Sequence, residues 1–120
     1  MKMTINASMM KETFERWDRD YYSYWGCEAL INFYDEIDEN MEFDVIGICC
    51  DCSEYGKNVT LSFNDLINDY GYKYPIEEWK EDTETEEADI EEYIEALIEV
   101  LEDYTTVLHV ANGNYIVFSF

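Results

Sequence analysis

The chain has 120 residues and a formal net charge of −22, which arises from 29 acidic and 7 basic side chains. A hydrophobic fraction of 48% and an aromatic fraction of 17% exclude a disordered acidic tail, because such tails hold too little apolar surface to form a core. With one proline and five glycines the chain has no linker-like segment, so the sequence predicts a single acidic domain spanning residues 1–120.

The sequence also predicts a cytoplasmic protein that does not associate with membranes. No segment approaches the roughly 18 consecutive apolar residues of a transmembrane helix, and Met1–Ile5 lacks the apolar core of a secretory signal. Anionic lipids would repel a protein of this charge. Three of the four cysteines fall within residues 49–52 in an apolar context, which is not the spacing of a secreted disulfide framework.

The first half of the chain predicts two strands and two helices. Met3–Ile5 is strand-like, Ser8 caps a helix of about ten residues, and Ser23 precedes a second, stronger helix. Both helices carry apolar residues at helical spacing, which are Met10, Phe14 and Trp17 in the first and Leu30, Phe33, Tyr34 and Ile37 in the second. The run at about 43–50 is apolar and β-branched, which predicts a central strand, and 51–58 predicts a loop.

Three further helical segments are predicted between positions 62 and 101. Ser62 caps the first and Gly71 closes it. Pro75 fits the first turn of a short segment that runs through Trp79, and a long helix begins around Glu86. The apolar residues at helical spacing are Phe63, Leu66, Ile67 and Tyr70 in the first helix and Ile90, Ile94, Leu97, Ile98 and Leu101 in the long one.

The end of the chain predicts a β-hairpin. Thr105–Val110 and Tyr115–Phe120 are strand-like, and the Asn112-Gly113 pair between them is the strongest short turn signal. A hairpin requires an antiparallel pair, and helices and strands are interspersed along the chain. The predicted fold class is therefore α+β, with a small antiparallel sheet built from the central strand at about 43–50 and the hairpin at 105–120, and covered by several helices.

The excess of negative charge lies entirely after residue 27. Residues 1–27 hold four acids and four bases, whereas residues 28–120 hold 25 acids and three bases. The density is highest over residues 77–103, which contain fourteen acids and the single base Lys80. This asymmetry points to a localised acidic surface and not to acids spread for solubility.

The long predicted helix carries a regular row of carboxylates. Its members recur at i, i+4, i+8 and i+11, and they are Glu91, Glu95, Glu99 and Glu102. Each like-charged pair at i, i+4 costs about 0.2–0.5 kcal/mol, so selection for helix stability alone would place lysines among them. A solvated face that only confers solubility is the simpler interpretation, but it does not explain why no lysine or arginine follows Glu81.

Such a row can imitate a nucleic-acid backbone. Duplex DNA carries one negative charge per about 1.7 Å of axis, and acidic helix faces side by side approach that density. The surface would fit the Lys/Arg groove of a basic nucleic-acid-binding protein, whereas nucleic acid itself would be repelled. The predicted partner-binding residues are Glu84, Glu87, Glu91, Glu92, Glu95, Glu99, Glu102, Asp103, Asp35, Asp38 and Glu39.

Tyrosines supply an alternative interpretation. The chain has eleven of them, more than a core of this size needs, and several lie in polar, loop-like surroundings. These are Tyr21, Tyr22, Tyr24, Tyr70, Tyr72 and Tyr74. Because exposed tyrosine suits protein interfaces, the alternative is an adaptor or regulatory protein that binds a partner protein through tyrosine-rich loops.

No catalytic site and no cofactor are predicted. The single histidine, His109, lies in an alternating strand-like run, and the sequence has no phosphate-binding glycine loop. Cys27, Cys49, Cys52 and His109 have the residue types of a four-ligand zinc site, but no second Cys-x-x-Cys or histidine pair supports one. The preferred interpretation is that Cys49 and Cys50 end a buried strand as small hydrophobic side chains.

Four segments resemble a family of small acidic proteins from phages and mobile elements. They are Leu30–Glu36, Phe43–Tyr55, Thr105–Val107 and Tyr115–Phe120. The resemblance implies a phage or mobile-element origin and a setting in the cytoplasm of a bacterial host, and it assigns no site residue. Small acidic proteins of such elements include antirestriction DNA mimics, uracil-DNA glycosylase inhibitors and anti-CRISPR proteins. By analogy with this class, the sequence predicts a non-enzymatic inhibitor of a CRISPR effector or restriction enzyme.

Overall fold

The structure is a computed structural model that describes residues 6–37, 47–48, 51–84 and 89–120. Within those residues, both ends are defined for five helices and three strands. The helices are α1 (Ala7–Arg16), α2 (Tyr24–Ile37), α3 (Phe63–Tyr70), α4 (Ile76–Thr83) and α5 (Ile90–Glu102). The strands are β1 (Cys52–Tyr55), β2 (Val107–His109) and β3 (Tyr115–Phe118), and a 3₁₀ turn, Gly71–Lys73, follows α3. The predicted α+β class is confirmed.

The three strands form one antiparallel sheet in the order β1-β3-β2. The predicted hairpin is confirmed as β2 and β3, with Val107 opposite Val117. Its turn is closed by two backbone hydrogen bonds, from Gly113 N–H to Val110 O at 2.9 Å and from Val110 N–H to Asn114 O at 3.0 Å. Gly113 has a φ of +92°, which is why glycine suits this position.

The predicted central strand at 43–50 is wrong where the structure describes it, because Gly47 and Ile48 are helical. Positions 43–46, 49 and 50 lie outside the described residues, as does the predicted strand Met3–Ile5. The third strand is instead Cys52–Tyr55, inside the segment predicted as a loop. A short apolar run does not by its pattern distinguish strand from buried helix, and Ile48 enters the core from a helical turn with 4% of its side chain exposed.

The first two helices follow the predicted apolar pattern with shifted ends. Asn6, and not Ser8, caps α1, since its side-chain oxygen accepts a hydrogen bond from Met9 N–H at 2.9 Å. α1 ends at Arg16, so Trp17 is 57% exposed instead of lying in the core stripe, and Ile37 at the end of α2 is 61% exposed. The remaining predicted core residues are buried or half-buried, and these are Met10, Phe14, Leu30, Phe33 and Tyr34.

The starts of the three later helices are marked by residues that cap or precede their first turns. The predicted cap of α3 at Ser62 is confirmed, and the structure shows that Ser62 forms a capping box with Asp65, while Pro75 precedes the first residue of α4. Asp89 caps α5 by accepting a hydrogen bond from Glu91 N–H at 3.0 Å. Glu86 lies outside the described residues, but Asp89 is extended and caps the helix, so α5 begins at Ile90, later than the start predicted around Glu86. The buried stripe of α5 consists of Tyr93, Ile94, Leu97, Ile98 and Leu101.

The sheet separates two apolar clusters and so fixes which helices are neighbours. Helices α1 and α2 pack on one face around Leu30 and Ile116. Helices α3, α4 and α5 pack on the other face around Leu97 and Val117. Consecutive residues of a strand point to opposite faces, and therefore α2 and α5 lie on opposite sides of the sheet. In the described part of the chain, no helix has both the length and the apolar character required to cross a bilayer.

Candidate functional site

Helix α5 presents a continuous row of carboxylates to solvent. We call this the acidic face, and its members, all exposed, are Glu91, Glu92, Glu95, Glu99 and Glu102 of the helix and its C-cap residue Asp103. The opposite side of the helix carries the five buried side chains that attach it to the sheet, which are between 0% and 4% exposed. The sequence folds locally as an amphipathic helix, and the burial of the apolar stripe directs every acid outward.

The charge density of the acidic face is close to that of one nucleic-acid strand. The twelve residue steps from Glu91 to Asp103 span about 18 Å of helix axis at 1.5 Å per residue. Six carboxylates divide that length into five intervals of about 3.6 Å on average, against about 3.4 Å of axis per phosphate in a single strand of B-DNA. A single helix face therefore comes close to the density of one strand without a neighbouring helix.

Few basic side chains of the described residues contact this face. His109 Nε2 lies 3.1 Å from Glu102 Oε1, at the end of the face nearest the sheet edge. Two lysines are engaged elsewhere, since Lys80 Nζ lies 3.8 Å from Glu77 Oε1 and Lys73 Nζ lies 4.1 Å from the centre of the Tyr104 ring. Within the described residues, no lysine or arginine forms an ion pair with the acidic face, which leaves most of its charge available to a partner.

Of the other predicted site residues, the structure describes Glu84 and Asp35, which lie on opposite sides of the sheet. Glu84 is exposed at the end of α4, where it adopts a φ of +53°. Asp35 is exposed on α2, on the opposite side of the sheet from α5, and so does not extend the acidic face. Glu87, Asp38 and Glu39 lie outside the described residues.

Helix α4 contributes further acids beside α5. The two helices meet through the rings of Trp79 and Tyr93, whose centres are 5.7 Å apart. Four exposed acids lie on α4, and they are Glu77, Glu78, Glu81 and Asp82. Asp82 accepts a hydrogen bond from Tyr74 Oη at 2.8 Å, and this bond is the main reason that the pKa of Tyr74 is raised to about 12. The dense run at 77–103 was the signal for these acids in the sequence.

A groove of about 340 Å³ lies along the acidic face where α5 begins. Phe63, Ile90, Ile94 and Tyr115 form its apolar floor, and Glu91 and Glu95 belong to its lining. Sequence reasoning missed this groove, because its walls come from three segments far apart in the chain. The one local sign is Ile90, predicted as a core residue but 44% exposed here.

Tyr115 connects the groove to the acidic face. Burial raises the pKa of its phenol, and the nearby carboxylates of Glu95 and Glu102 raise that pKa further. The ring of His109 lies edge-on to that of Tyr115 with centres 5.4 Å apart. The floor of the groove and the carboxylate row are thus parts of one continuous surface.

The tyrosines of the alternative interpretation divide between core and surface. Tyr21 is 40% exposed, Tyr24 is 43% exposed and Tyr72 is 67% exposed. Tyr22 is buried, and its hydroxyl donates to Cys52 O at 2.7 Å. Tyr70 and Tyr74 are half-buried. The exposed members of this set of six tyrosines therefore lie at two separate places, near the start of α2 and after α3.

The residues of the alternative zinc site do not converge where they are described. Cys27 and Cys52 are buried in the cluster under α1 and α2, whereas His109 pairs across the sheet with Tyr115 and contacts Glu102 of α5. Cys49 and Cys50, which were predicted to end a buried strand, lie outside the described residues. Over the described ranges, no group of three or more His, Cys, Asp or Glu side chains could hold a metal ion. Burial raises the pKa of the Cys27 thiol to about 12, which opposes the thiolate form that binds metals.

Comparisons of the chain with protein-family models, with curated proteins and with solved structures found no match. The resemblance to small acidic phage proteins therefore stays a prediction, based on the four segments quoted above.

Proposed function

We propose that this protein is a non-enzymatic inhibitor of a nucleic-acid-binding host defence protein, of the anti-CRISPR or antirestriction type. It acts in the cytoplasm of a bacterial host by presenting the acidic face of α5 to a cationic groove in place of a phosphate backbone. The observation that carries this proposal is the set of six exposed carboxylates along one helix, at nearly the charge spacing of a nucleic-acid strand.

Fixed geometry supports mimicry over simple solubilisation. A flexible acidic tail loses conformational freedom when it binds, whereas a preorganised surface avoids most of that cost. The acidic face is preorganised, because five buried side chains attach α5 to the sheet and Asp89 caps its first turn. The charge also steers a basic partner toward the surface and speeds association.

The first experiment measures competition with DNA. Purified restriction endonucleases and guide-loaded Cas nucleases, each bound to a fluorescent DNA duplex, are titrated with the protein at several salt concentrations. We expect the duplex to be displaced competitively from at least one enzyme. The association constant of the protein with that enzyme should fall as the salt concentration rises, because salt screens the attraction between the acidic face and a cationic groove.

Two matched triple variants separate the acidic face from total charge. The test variant is Glu91→Gln, Glu95→Gln and Glu99→Gln, and the control is Glu12→Gln, Glu28→Gln and Glu36→Gln. All six residues are exposed, and the control residues lie on α1 and α2, across the sheet from α5. We expect the test variant alone to lose about tenfold or more in affinity and to show a shallower salt slope. Equal losses in both variants, or a nuclease that binds duplex and protein together, would overturn the proposal.

The second candidate is a phage or mobile-element adaptor that binds a partner protein through tyrosines. The exposure of Tyr24 and Tyr72 favours it, since rigid aromatic side chains dominate many interfaces. In that case Tyr24→Ser or Tyr72→Ser abolishes binding, the glutamine test variant binds normally, and affinity depends little on salt. The same titrations therefore distinguish the two functions.

A further inference from the structure

The groove beside the acidic face combines an apolar floor with a charged rim. Its floor includes Ile90, which is 44% exposed, and the ring pair of Phe63 and Tyr115, whose centres are 6.3 Å apart at 64°. Glu91 and Glu95 line the same groove from α5. Exposed apolar surface next to two carboxylates suits a side chain that is apolar along its length and cationic at its end.

The opposite wall of the groove consists of Lys57 and the hairpin turn. The backbone of Lys57 is held by Asn114, whose Oδ1 accepts from Lys57 N–H and whose Nδ2 donates to Lys57 O, both at 2.9 Å. Lys57 is the one lysine or arginine of the lining, against Glu91 and Glu95 of α5. The groove is therefore negative on the α5 side and positive on the turn side, so a cationic group is favoured beside α5.

From this arrangement we infer that the groove is the anchoring pocket for an arginine side chain of the basic partner protein. The aliphatic part of the arginine lies on Ile90 and Ile94, and its guanidinium reaches Glu91 and Glu95. A planar guanidinium can bind carboxylates through paired hydrogen bonds and can stack on the neighbouring rings of the floor. The inference rests on the proposed function and names the contact that would give it specificity beyond general charge.

The first test removes one apolar side chain of the floor and leaves every charge in place. Ile90→Ser is compared with Met9→Ser, because Met9 is 46% exposed, almost the same fraction, and lies on α1 across the sheet. Both variants enter the DNA-competition assay against the nuclease that the wild-type protein displaces. We expect Ile90→Ser to bind about tenfold more weakly, and Met9→Ser to bind as the wild type does.

The outcomes separate this inference from the proposed function. If Ile90→Ser binds normally while the triple glutamine variant binds weakly, the acidic face operates without the pocket and the inference is wrong. If neither variant changes the affinity, the proposed function itself fails.

The second test needs no target and uses the wild-type protein. Three capped tripeptides, acetyl-Gly-Xaa-Gly-amide with arginine, lysine or citrulline at the centre, are titrated while backbone amide shifts are recorded by NMR. Citrulline has the shape of arginine without its charge. We expect saturable shifts from the arginine peptide at Glu91, Glu95, Gly113 and Asn114, weaker binding of the lysine peptide and the weakest binding of citrulline. Shifts spread evenly over the acidic residues of α4 and α5, or equal responses to arginine and citrulline, would overturn the inference.

Discussion

Glu54 is an acid that the fold buries, with 1% of its side chain exposed. Its Oε1 accepts a hydrogen bond from the Ser23 backbone N–H at 3.0 Å, and its Oε2 accepts from the Ser23 hydroxyl and from Asn114 Nδ2, both at 2.8 Å. Ser23 directly precedes α2, so the carboxylate also lies at the positive end of that helix dipole. Three donors and a helix terminus thus hold this charge in the interior, and replacing it should destabilise the protein.

Glu54→Gln keeps the shape of the side chain but turns one oxygen into an amide donor. If the new nitrogen takes the place of Oε2, it meets Asn114 Nδ2, which already donates to Lys57 O. If it takes the place of Oε1, it meets the Ser23 backbone N–H. Either orientation loses a charge-assisted hydrogen bond and leaves a donor unsatisfied, so the free energy of unfolding should fall by about 2–3 kcal/mol. For a chain of this length, that loss lowers Tm by about 8–12 °C.

Urea unfolding followed by tryptophan fluorescence and circular dichroism measures this effect. We expect a lower midpoint with an unchanged m-value, because the unfolded chain exposes the same surface. The control is Glu99→Gln, which removes the same charge from an exposed position of α5 and should be neutral or stabilising by about 0.2–0.5 kcal/mol. A Glu54→Gln midpoint equal to that of the wild type would refute the hydrogen-bond argument.

Three further outcomes follow from the same contacts and charges. Gly26→Ala places a Cβ onto Glu54 Oε1, so we expect a loss of stability at least as large as that of Glu54→Gln. A double-mutant cycle in urea should show that the two losses do not add, and additive losses would contradict the shared contact. Raising the ionic strength from about 0.01 M to about 0.15 M shortens the Debye length from about 30 Å to about 8 Å and so screens repulsion among the 29 acids. The urea midpoint should therefore rise, and a midpoint that falls would argue against self-repulsion. Burial raises the pKa of the Cys27 thiol from 9.0 to about 12, so native protein at pH 8 should resist Ellman's reagent at this residue, as peptide mapping would show, and react once unfolded. Because the folded pKa is the higher one, this thiol's contribution to stability is complete below about pH 9 and is lost as the pH rises from 9 to about 12.

Local patterns predicted the elements whose stabilising contacts lie within a few residues. α5 follows from its apolar stripe at helical spacing, the start of α3 from Ser62 as its cap, and the β2-β3 hairpin from Asn112-Gly113. In each of these, the partner of a residue is found one turn or one strand away. The acidic face of α5 was predictable for the same reason, since burial of one side of a helix fixes the direction of the other.

The features that sequence reasoning missed depend on residues far apart in the chain. β1 looked like a loop because it is four residues long and includes Glu54, whose burial requires Ser23 and Asn114, respectively 31 and 60 positions away. The groove beside Ile90 similarly needs Phe63 and the hairpin turn. No local pattern contains such partners. In β1, pairing with β3 overrode the local preference for a loop.

The apolar stripe and the acidic face lie on opposite sides of α5. A loss of binding in the glutamine variants can therefore be distinguished from a loss of stability. The stability of this helix derives mainly from its five buried side chains. Its acids change the free energy of unfolding only slightly, some of them lowering it and others raising it. Repulsion between Glu95 and Glu99 costs about 0.2–0.5 kcal/mol, and the negative charge of Glu91 near the helix N-terminus contributes about 0.3–1 kcal/mol of stabilisation. Glutamine at these positions should therefore change the free energy of unfolding by less than about 1 kcal/mol. A tenfold loss of binding in the triple variant would then reflect the missing charges of the interface and not unfolding of the helix that presents them.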